Sequence, residues 1–300
     1  MKVLISGSSG LIGSALQPSL HVDGHTAHRL VREKTDDPET VYWKPSEKEI
    51  ERDKLEGYDA VIHLAGENIA GGRWTDARKQ AIRESRIQGT SFLAETLAGL
   101  EQKPKVLVCA SAMGYYGNRG DEKLTEDAPA GKGFLAEVCQ AWEAAAQPAR
   151  EAGIRTVHMR TGVVLSTEGG ALEKMLTPFK TGLAGKLGSG EQYMSWVSRD
   201  DVVRGFAFAM TTDTLSGPVN MVAPEPVTNE EFTRTLGKVL DKPTAVSVPA
   251  FALKMMVGEM ADEMLLASMR VIPKKLQEAG FEFSHPELES TLRTILGDQG

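Results

Sequence analysis

The amino-acid sequence predicts an α/β fold, with a doubly wound parallel sheet followed by a small C-terminal lobe. Short apolar runs alternate with longer stretches of helical periodicity over residues 1–165. A glycine-rich turn joins the first apolar run to the first helical stretch. After Leu165 the pattern changes to glycine-rich loops and shorter elements, which indicates a second unit over residues 166–300.

The first unit is predicted from apolar strands that are separated by helices. Strands are expected at Val3–Ser6, Thr26–Arg32, Ala60–Ala65, Val106–Ser111 and Thr156–Leu165. Helices are expected at Leu11–Val22, Asp76–Leu100 and Leu135–Ala152, and Pro18 should kink the first of them. Strands joined by helices of this length form right-handed crossovers, and therefore a parallel sheet.

The second unit is predicted as a lobe packed on the sheet. Loops are expected at Glu168–Ala171 and Gly182–Gly190, strands at Met194–Val197 and Gly217–Val222, and helices at Asp201–Thr211, Thr228–Leu240 and Pro249–Met256. Strands from about residues 195–222 are expected to return to the main sheet. Asp200 and Asp201 are expected to cap the helix that follows them.

Composition narrows the class of partners. The chain has 300 residues and a formal net charge of −7, whereas nucleic acids and anionic membranes attract clustered Lys and Arg. No apolar run approaches the ~20 residues of a membrane span, and the N-terminus does not resemble a signal peptide. Cys109 and Cys139 have no metal or redox spacing, and no His, Cys, Asp and Glu cluster has metal-ligand spacing. A cytoplasmic location is therefore expected.

A glycine-rich turn directly follows the first strand. Gly7-Ser8-Ser9-Gly10-Leu11-Ile12-Gly13 is a variant of the dinucleotide-binding G-x-G-x-x-G pattern. The glycines permit the turn, the approach of a pyrophosphate and close helix packing, while the helix N-terminus offers N–H groups to phosphates. A turn without a ligand is the alternative. The position between strand and helix favours a Rossmann-type domain over residues 1–165, with Gly7, Ser9, Gly10, Leu11, Ile12 and Gly13 as contacts of a nicotinamide dinucleotide.

The end of the second strand predicts which dinucleotide binds. Sites that prefer NAD usually have Asp or Glu there, because a carboxylate bonds the ribose 2′-hydroxyl. This chain has Val31-Arg32, and a guanidinium can hold a 2′-phosphate through two hydrogen bonds. The sequence therefore predicts NADP with Val31 and Arg32 as contacts. An ordinary exposed arginine is the alternative.

Longer motifs resemble a known family. Gly7–Gly13, DAVIHLAG (Asp59–Gly66) and ASAMGYYG (Ala110–Gly117) resemble the extended short-chain dehydrogenase/reductases. The atypical YfcH-type epimerase family is similar over AGENIAGGRWT (Ala65–Thr75), RTGVVLSTEGGALEKMLTPF (Arg160–Phe179), GSGEQYMSWV (Gly188–Val197), NMVAPEPVTNEEF (Asn220–Phe232) and PKKLQEAGFEF (Pro273–Phe283). The resemblance covers essentially the whole chain. It implies a family-specific C-terminal segment over about residues 249–297.

The resemblance also implies further cofactor contacts. Leu64 and Ala65 would lie beside the nicotinamide-side ribose, and Gly66 is a further expected contact. Arg86 stands where the superfamily often has Asn in an N-V-x-G-T pattern, and it could reach the phosphates or the adenine side. Its alternative is a solvated helix face. Val164 would flank the nicotinamide.

The usual catalytic pair of the superfamily is missing. The resemblance implies a Ser or Thr together with Tyr-x-x-x-Lys on a helix, and Ser111 fits the first role. No tyrosine here has Lys four residues later, and the expected helix reads Phe134–Cys139 with apolar positions. Tyr115 and Tyr116 follow Ser111 and could substitute as the acid/base, or they pack at the pocket mouth. Glu67 could act as a base if desolvated, or it caps the loop that follows.

Two hypotheses follow for function. The first is an NADP-dependent oxidoreductase or epimerase that acts on a small polar substrate, such as a sugar nucleotide or a carbonyl compound, through Ser111, Tyr115 or Glu67. The second is an NADP(H)-binding sensor or scaffold with little turnover, which the missing Tyr and Lys favour. The retained glycine turn and Ser111 favour the enzyme. The helices Asp76–Leu100 and Leu135–Ala152 offer paired surfaces for a homodimer.

Overall fold

The protein is described by a computed structural model that covers residues 1–182 and 184–297. Its strands are β1 Lys2–Ser6, β2 Thr26–Val31, β3 Thr40–Lys44, β4 Glu49–Ile50, β5 Ala60–His63, β6 Val106–Ala112, β7 Lys123–Leu124, β8 Arg155–Thr161, β9 Val163–Leu165, β10 Tyr193–Met194, β11 Trp196–Ser198, β12 Gly217–Met221, β13 Val227–Thr228 and β14 Arg270–Val271. Its helices are α1 Gly13–Val22, α2 Asp76–Ala98, α3 Phe134–Ala144, α4 Gln147–Glu151, α5 Gly170–Lys180, α6 Arg199–Thr211, α7 Asn229–Leu240, α8 Ala250–Val257, α9 Lys274–Glu278 and α10 Leu288–Gly297. Residue 183 of the expected Gly182–Gly190 loop and residues 298–300 of the expected lobe lie outside the described residues.

The main sheet has the strand order β12-β8-β6-β5-β1-β2-β3-β4. Its pairs are parallel except for β3 with β4. The predicted fold class, a doubly wound parallel sheet, is confirmed. The chain order reverses between β1 and β5, and in such sheets ligands bind in the crevice outside the carboxyl ends of the strands at this reversal.

Both faces of the sheet are covered, because successive side chains of each strand point to opposite sides. Val3 and Ile5 of β1 join one core with Leu16 of α1 and with residues of α6. Leu4, between them, joins a second core with Leu93 of α2 and with Ala149 of α4. The continuous apolar runs of the strands are thus explained by burial on both faces.

The second half of the chain has a core of its own. Leu165 packs there with Leu172 of α5, Phe232 of α7 and Leu292 of α10. β12 nevertheless pairs with β8 at the edge of the main sheet, while β11 pairs with β9 outside it. The division into residues 1–165 and a lobe of residues 166–300 stays our proposal, which this separate core supports.

Several predicted elements are shorter than expected. The helix predicted at Leu135–Ala152 is two helices, α3 and α4, and Pro148 stands in the first turn of the second, where its missing N–H costs nothing. The strand predicted at Thr156–Leu165 is divided at Gly162, where a β-carbon would lie 2.6 Å from the Ser195 carbonyl oxygen. The loop predicted at Glu168–Ala171 contains the start of α5.

The cap of α6 also differs from the prediction. Ser198 is the N-cap residue, and its hydroxyl accepts the Asp201 N–H at 3.0 Å. The fully buried Asp201 carboxylate supports this cap by accepting the Ser198 hydroxyl at 3.0 Å, and it also accepts the N–H groups of Ser284 and His285, at 2.8 and 3.0 Å. Asp201 therefore joins α6 to the C-terminal segment.

Candidate functional site

The glycine-rich turn leaves β1 at Ser6 and enters α1 at Gly13. Gly7 has a φ of +70°, a left-handed conformation that other residues rarely adopt. The Gly10 N–H donates to the Gly7 carbonyl oxygen at 3.0 Å, and Ser9 and Gly10 are exposed. A β-carbon at Gly13 would lie 2.3 Å from the same carbonyl oxygen. The helix can therefore begin against the strand only because this position is glycine.

The turn packs on the segment that follows β5. A β-carbon at Gly7 would lie 2.8 Å from the Leu64 carbonyl carbon and 2.8 Å from the Ala65 nitrogen. The Ser6 hydroxyl accepts the N–H groups of Leu64 and Ala65, at 3.2 and 3.3 Å. The structure thus brings Gly7, Leu64 and Ala65 together at the point where the strand order reverses.

Val164 lies close to the same turn. A β-carbon at Gly170 would be 3.2 Å from Leu11 Cδ2 and 3.8 Å from the Val164 carbonyl oxygen. Val164 pairs with Val197 across β9 and β11, and it packs against the same core as Ile12. Leu11 and Val164 therefore both lie close to Gly170, and Ile12 and Val164 border the same core.

Val31 and Arg32 come at the carboxyl end of β2, the strand beside β1. The parallel register pairs Ser6 with Leu30, so Val31 continues beside Gly7. Arg32 follows the strand and is exposed. Within residues 1–182 and 184–297, its guanidinium forms no ion pair. This cation thus stands at the carboxyl end of a strand that borders the glycine turn.

Arg86 of α2 packs against Gly66. A β-carbon at Gly66 would lie 3.4 Å from the guanidinium carbon, and Nη1 donates to the Glu67 carbonyl oxygen at 3.0 Å. The guanidinium also lies 4.9 Å from the centre of the Trp142 ring. Burial lowers the pKa of Arg86 from its ordinary value. The side chain is therefore turned toward the end of β5 rather than into solvent.

Ser111 belongs to a buried ionic cluster. Its hydroxyl donates to Glu143 Oε1 of α3 at 2.7 Å. Arg160 of β8 donates to both carboxylate oxygens of Glu143 at 2.8 Å, a bidentate pair. Because the Ser111 hydroxyl directs its proton to this carboxylate, the Ser111 oxygen can accept a hydrogen bond from a substrate hydroxyl.

Two tyrosines follow Ser111 and both contact Arg160. The Tyr116 hydroxyl donates to Asn220 Oδ1 at 2.7 Å and accepts from Arg160 Nη1 at 2.9 Å. Burial raises the pKa of Tyr116 to about 12, so its phenol stays protonated. Tyr115 is half-buried, and its ring centre lies 3.4 Å from the Arg160 guanidinium carbon. Of the two side chains, Tyr115 is the accessible one.

The face of α3 toward this cluster has no acid/base pair. Leu135 and Cys139 lie one helical turn apart, and both face Gly114. A β-carbon at Gly114 would lie 3.1 Å from Leu135 Cβ and 3.9 Å from Cys139 Sγ. Burial raises the pKa of Cys139 to about 12, so it stays a neutral thiol. This face of the helix therefore offers an aliphatic side chain and a thiol in place of a phenol and an ammonium group.

Glu67 lies in an ion pair. Its Oε1 accepts from Arg78 Nη1 at 2.8 Å, and its side chain is 42% exposed. Its backbone N–H donates to the Ser85 hydroxyl at 3.1 Å. The Glu67 carboxylate is thus already engaged by a guanidinium at a partly exposed position. The role of Glu67 as a base stays a prediction, which this geometry does not favour.

Sequence reasoning did not select Glu143, Arg160 or Asn220. A usable signal existed for Glu143, because it follows Cys139 by four residues and Leu135 by eight, which puts all three on one helix face. Arg160 and Asn220 meet the cluster through strand register and long-range packing. No local pattern in the sequence reports those contacts.

A parallel sheet with reversed strand order, a glycine turn at the reversal and a polar cluster at neighbouring strand ends define a dinucleotide-binding α/β protein of the short-chain dehydrogenase/reductase class. Residues 3–222 match the model of the NAD dependent epimerase/dehydratase family. The chain belongs to that family and is a nucleotide-cofactor-binding member of it. Residues 248–295 match a domain of unknown function (DUF1731), so the predicted resemblance and its C-terminal segment are confirmed.

Relatives match over nearly the whole chain. An epimerase family protein of Mycobacterium bovis is 46% identical over 97% of this chain and 96% of its own. An Arabidopsis thaliana protein named epimerase family protein SDR39U1 homolog, chloroplastic, is 38% identical over 99% of this chain and 87% of its own. The crystal structure of human epimerase family protein SDR39U1 (isoform 2) with NADPH superposes with a TM-score of 0.90 at 32% identity, over 99% of this chain and 100% of that one.

No helix among the described residues is both long and apolar enough to cross a membrane. Across residues 1–182 and 184–297, no three or more His, Cys, Asp and Glu side chains gather in a way that could hold a metal ion. The cytoplasmic location, the homodimer and the absence of a nucleic-acid partner stay predictions.

Proposed function

We propose that this protein binds NADP(H) in the crevice between the carboxyl ends of β1 and β5. The observation that supports this most is the glycine turn at the reversal of strand order. Gly7 packs on Leu64 and Ala65 there, and Gly10 leaves the exposed side of the turn without a β-carbon where a pyrophosphate would approach. The proposed contacts are Gly7, Ser9, Gly10, Leu11, Ile12, Gly13, Val31, Arg32, Leu64, Ala65, Gly66, Arg86 and Val164.

The preference for a 2′-phosphate is assigned to Arg32. This side chain is exposed at the end of β2, where a carboxylate would favour NAD instead. A guanidinium binds a phosphate through two parallel hydrogen bonds as well as through charge. The human relative that was solved with NADPH supports the same preference.

The proposed reaction is a reduction, oxidation or epimerisation of a small polar substrate, with sugar nucleotides and carbonyl compounds as candidates. A bound nicotinamide supplies or accepts the hydride, so the protein must hold the substrate and manage one proton. Ser111 would accept a hydrogen bond from the substrate hydroxyl. Tyr115, which is accessible beside Arg160, is the candidate for proton transfer. Glu67 is the third candidate.

A second function is favoured by a specific observation. The face of α3 near Ser111 carries Leu135 and Cys139 at Tyr-x-x-x-Lys spacing, and neither is charged at neutral pH. Glu143 of the same face is already paired with Arg160. Without a neighbouring cation of the usual kind, a phenol is a poor base at this pH. The alternative is therefore an NADP(H)-binding sensor or scaffold with little turnover.

Calorimetric titration with NADPH, NADP, NADH and NAD tests the cofactor. We expect tight binding of the phosphorylated pair, and Arg32→Ala should weaken it by about 1–3 kcal/mol through loss of charge-assisted hydrogen bonds. Arg234→Ala, which removes an exposed arginine on α7, is the matched control and should bind as the wild type does. No binding of any of the four dinucleotides would refute the proposal.

Turnover separates the two functions. Purified protein is incubated with NADPH and a panel of aldehydes, ketones and sugar nucleotides, and loss of the reduced nicotinamide absorbance is followed. Oxidation of NADPH that depends on one substrate class supports the enzyme. Tight NADPH binding without oxidation by any class would favour the sensor or scaffold.

A further inference from the structure

A chain of buried polar side chains lies behind the glycine turn. It consists of Ser6 at the end of β1, His63 at the end of β5, Thr90 of α2 and Trp142 of α3, and we call it the relay. Ser6 Oγ lies 2.6 Å from His63 Nδ1, and His63 Nε2 lies 3.1 Å from Thr90 Oγ1. Trp142 Nε1 donates to the same Thr90 oxygen at 3.0 Å. Ser6, His63 and Thr90 are at most 1% exposed, so bulk water does not reach these bonds.

The relay has one proton arrangement that satisfies its members. Ser6 Oγ already accepts the N–H groups of Leu64 and Ala65, so its own proton goes to His63 Nδ1. Nε2 of His63 then carries the ring proton and donates it to Thr90. Burial lowers the pKa of His63 to about 4, which keeps the ring neutral at physiological pH. Thr90 thus accepts two N–H donors.

Both ends of the relay meet proposed cofactor contacts. At one end, Ser6 holds the backbone N–H groups of Leu64 and Ala65. At the other end, the Trp142 ring lies under the Arg86 guanidinium. The relay therefore joins the two strand ends at the reversal of the sheet to the two helices that border them.

We infer that Ser6, His63 and Thr90 are positioning residues for the dinucleotide, because they fix the backbone after β5 and the Trp142 support of Arg86 in one arrangement. This inference rests on the proposed function. Removing the Thr90 oxygen leaves two buried N–H groups without an acceptor, a costly change that is relieved when the backbone and side chains shift. Such shifts would occur in the residues that border the cofactor.

If the relay were purely structural, substitutions in it would lower the free energy of unfolding and leave the affinity for the cofactor unchanged. The experiment therefore measures NADPH affinity by calorimetry at a temperature where thermal unfolding shows each variant to be folded. Thr90→Val removes the hydroxyl at nearly constant volume, and Thr90→Ser restores it. Thr96→Val is the matched control, because Thr96 is a buried threonine of the same helix whose hydroxyl donates to the Phe92 carbonyl oxygen at 2.7 Å.

We expect NADPH to bind Thr90→Val at least about tenfold more weakly, with Thr90→Ser within about threefold of the wild type. Thr96→Val should keep its affinity. Unchanged affinity in Thr90→Val, or an equal loss in Thr96→Val, would overturn the inference. If Thr90→Val does not fold, Ser6→Ala replaces it with the same expectation. A wild type that binds no dinucleotide refutes the proposed function itself, and this is visible before any variant is compared.

Discussion

At the scale of single residues, two glycines of one turn have separable roles. A β-carbon at Gly13 would meet the Gly7 carbonyl oxygen at 2.3 Å, whereas one at Gly10 would lie 3.3 Å from the same atom and point into an exposed region. The first contact is between the start of α1 and the residue that directly follows β1. The second faces the region where we propose that the pyrophosphate lies.

Gly13→Ala should therefore lower the free energy of unfolding by about 1–3 kcal/mol, because the helix must move away from the strand. Gly10→Ala should leave the free energy of unfolding nearly unchanged and weaken NADPH binding. Urea denaturation and calorimetry measure the two quantities. Wild-type NADPH affinity in Gly10→Ala would contradict the proposed position of the pyrophosphate.

The same scale shows what the sequence could predict about the site. The glycine turn is predictable because Gly10 and Gly13 both meet the carbonyl oxygen of Gly7, which is close to them in the chain. The pairing of Glu143 with Arg160 is not predictable from the sequence, because it depends on how α3 lies over β8. The ion pair of Glu67 with Arg78 is not predictable either, because it depends on the path of a loop that no sequence pattern reports.

At the scale of elements, α3 is capped by a distant part of the chain. The helix begins after Gly133, which has no side chain to cap it. The two carboxylate oxygens of Glu263, in the π-helical segment Ala261–Leu265, accept the N–H groups of Phe134 and Leu135 at 3.0 and 3.1 Å. The C-terminal segment thereby stabilises the helix that faces the Ser111 cluster.

Glu263→Ala should lower the free energy of unfolding by about 1–2 kcal/mol, because it removes a cap and a negative charge at a helix N-terminus. Glu259→Ala, just before the π-helical segment, is the control. It breaks the ion pair between Lys79 and the Glu259 carboxylate, which is 45% exposed, and should lower the free energy of unfolding by at most about 1 kcal/mol. Urea denaturation measures the free energy of unfolding of both variants. An equal loss in the two would argue against the Glu263 cap.

Element boundaries were harder to predict than element types. The helical period continues through Leu135–Ala152, because periodicity reports which side faces the core and not whether the backbone is continuous. Pro148 supplies the break. Likewise, the apolar run Thr156–Leu165 hides the division at Gly162, which exists because the Ser195 backbone approaches there.

At the scale of the whole molecule, the surface bears on the predicted homodimer. Among the described residues, the large apolar side chains that are exposed include Phe251, Met255 and Met256 of α8, and none belongs to α2 or α3. The outward positions of those two helices carry polar side chains such as Arg83 and Glu137. Pairing through α2 and α3 therefore has no apolar stripe to support it, and the homodimer stays a prediction.

Acid stability is also a property of the whole molecule. Burial lowers the pKa of His63 and of His158 to about 4, although Glu143 acts in the opposite direction on His158. Between about pH 4 and pH 6.5, the unfolded chain therefore binds more protons than the native protein. The free energy of unfolding should be constant above this window and fall as the pH falls through it, by up to about 3 kcal/mol for each histidine.

Urea denaturation at pH 7.5, 6.5, 5.8 and 5.0 measures this dependence above the range where carboxylates titrate. His158→Leu removes one of these two rings, so its unfolding free energy should depend on pH less steeply than that of the wild type. His63 and His28, whose pKa burial also lowers, account for the remaining dependence. The comparison of slopes is informative even if the substitution changes stability at every pH, because a constant offset leaves the slope unaltered. A wild type whose unfolding free energy is flat from pH 7.5 to 5.0 would show that the two rings are not buried in the neutral form.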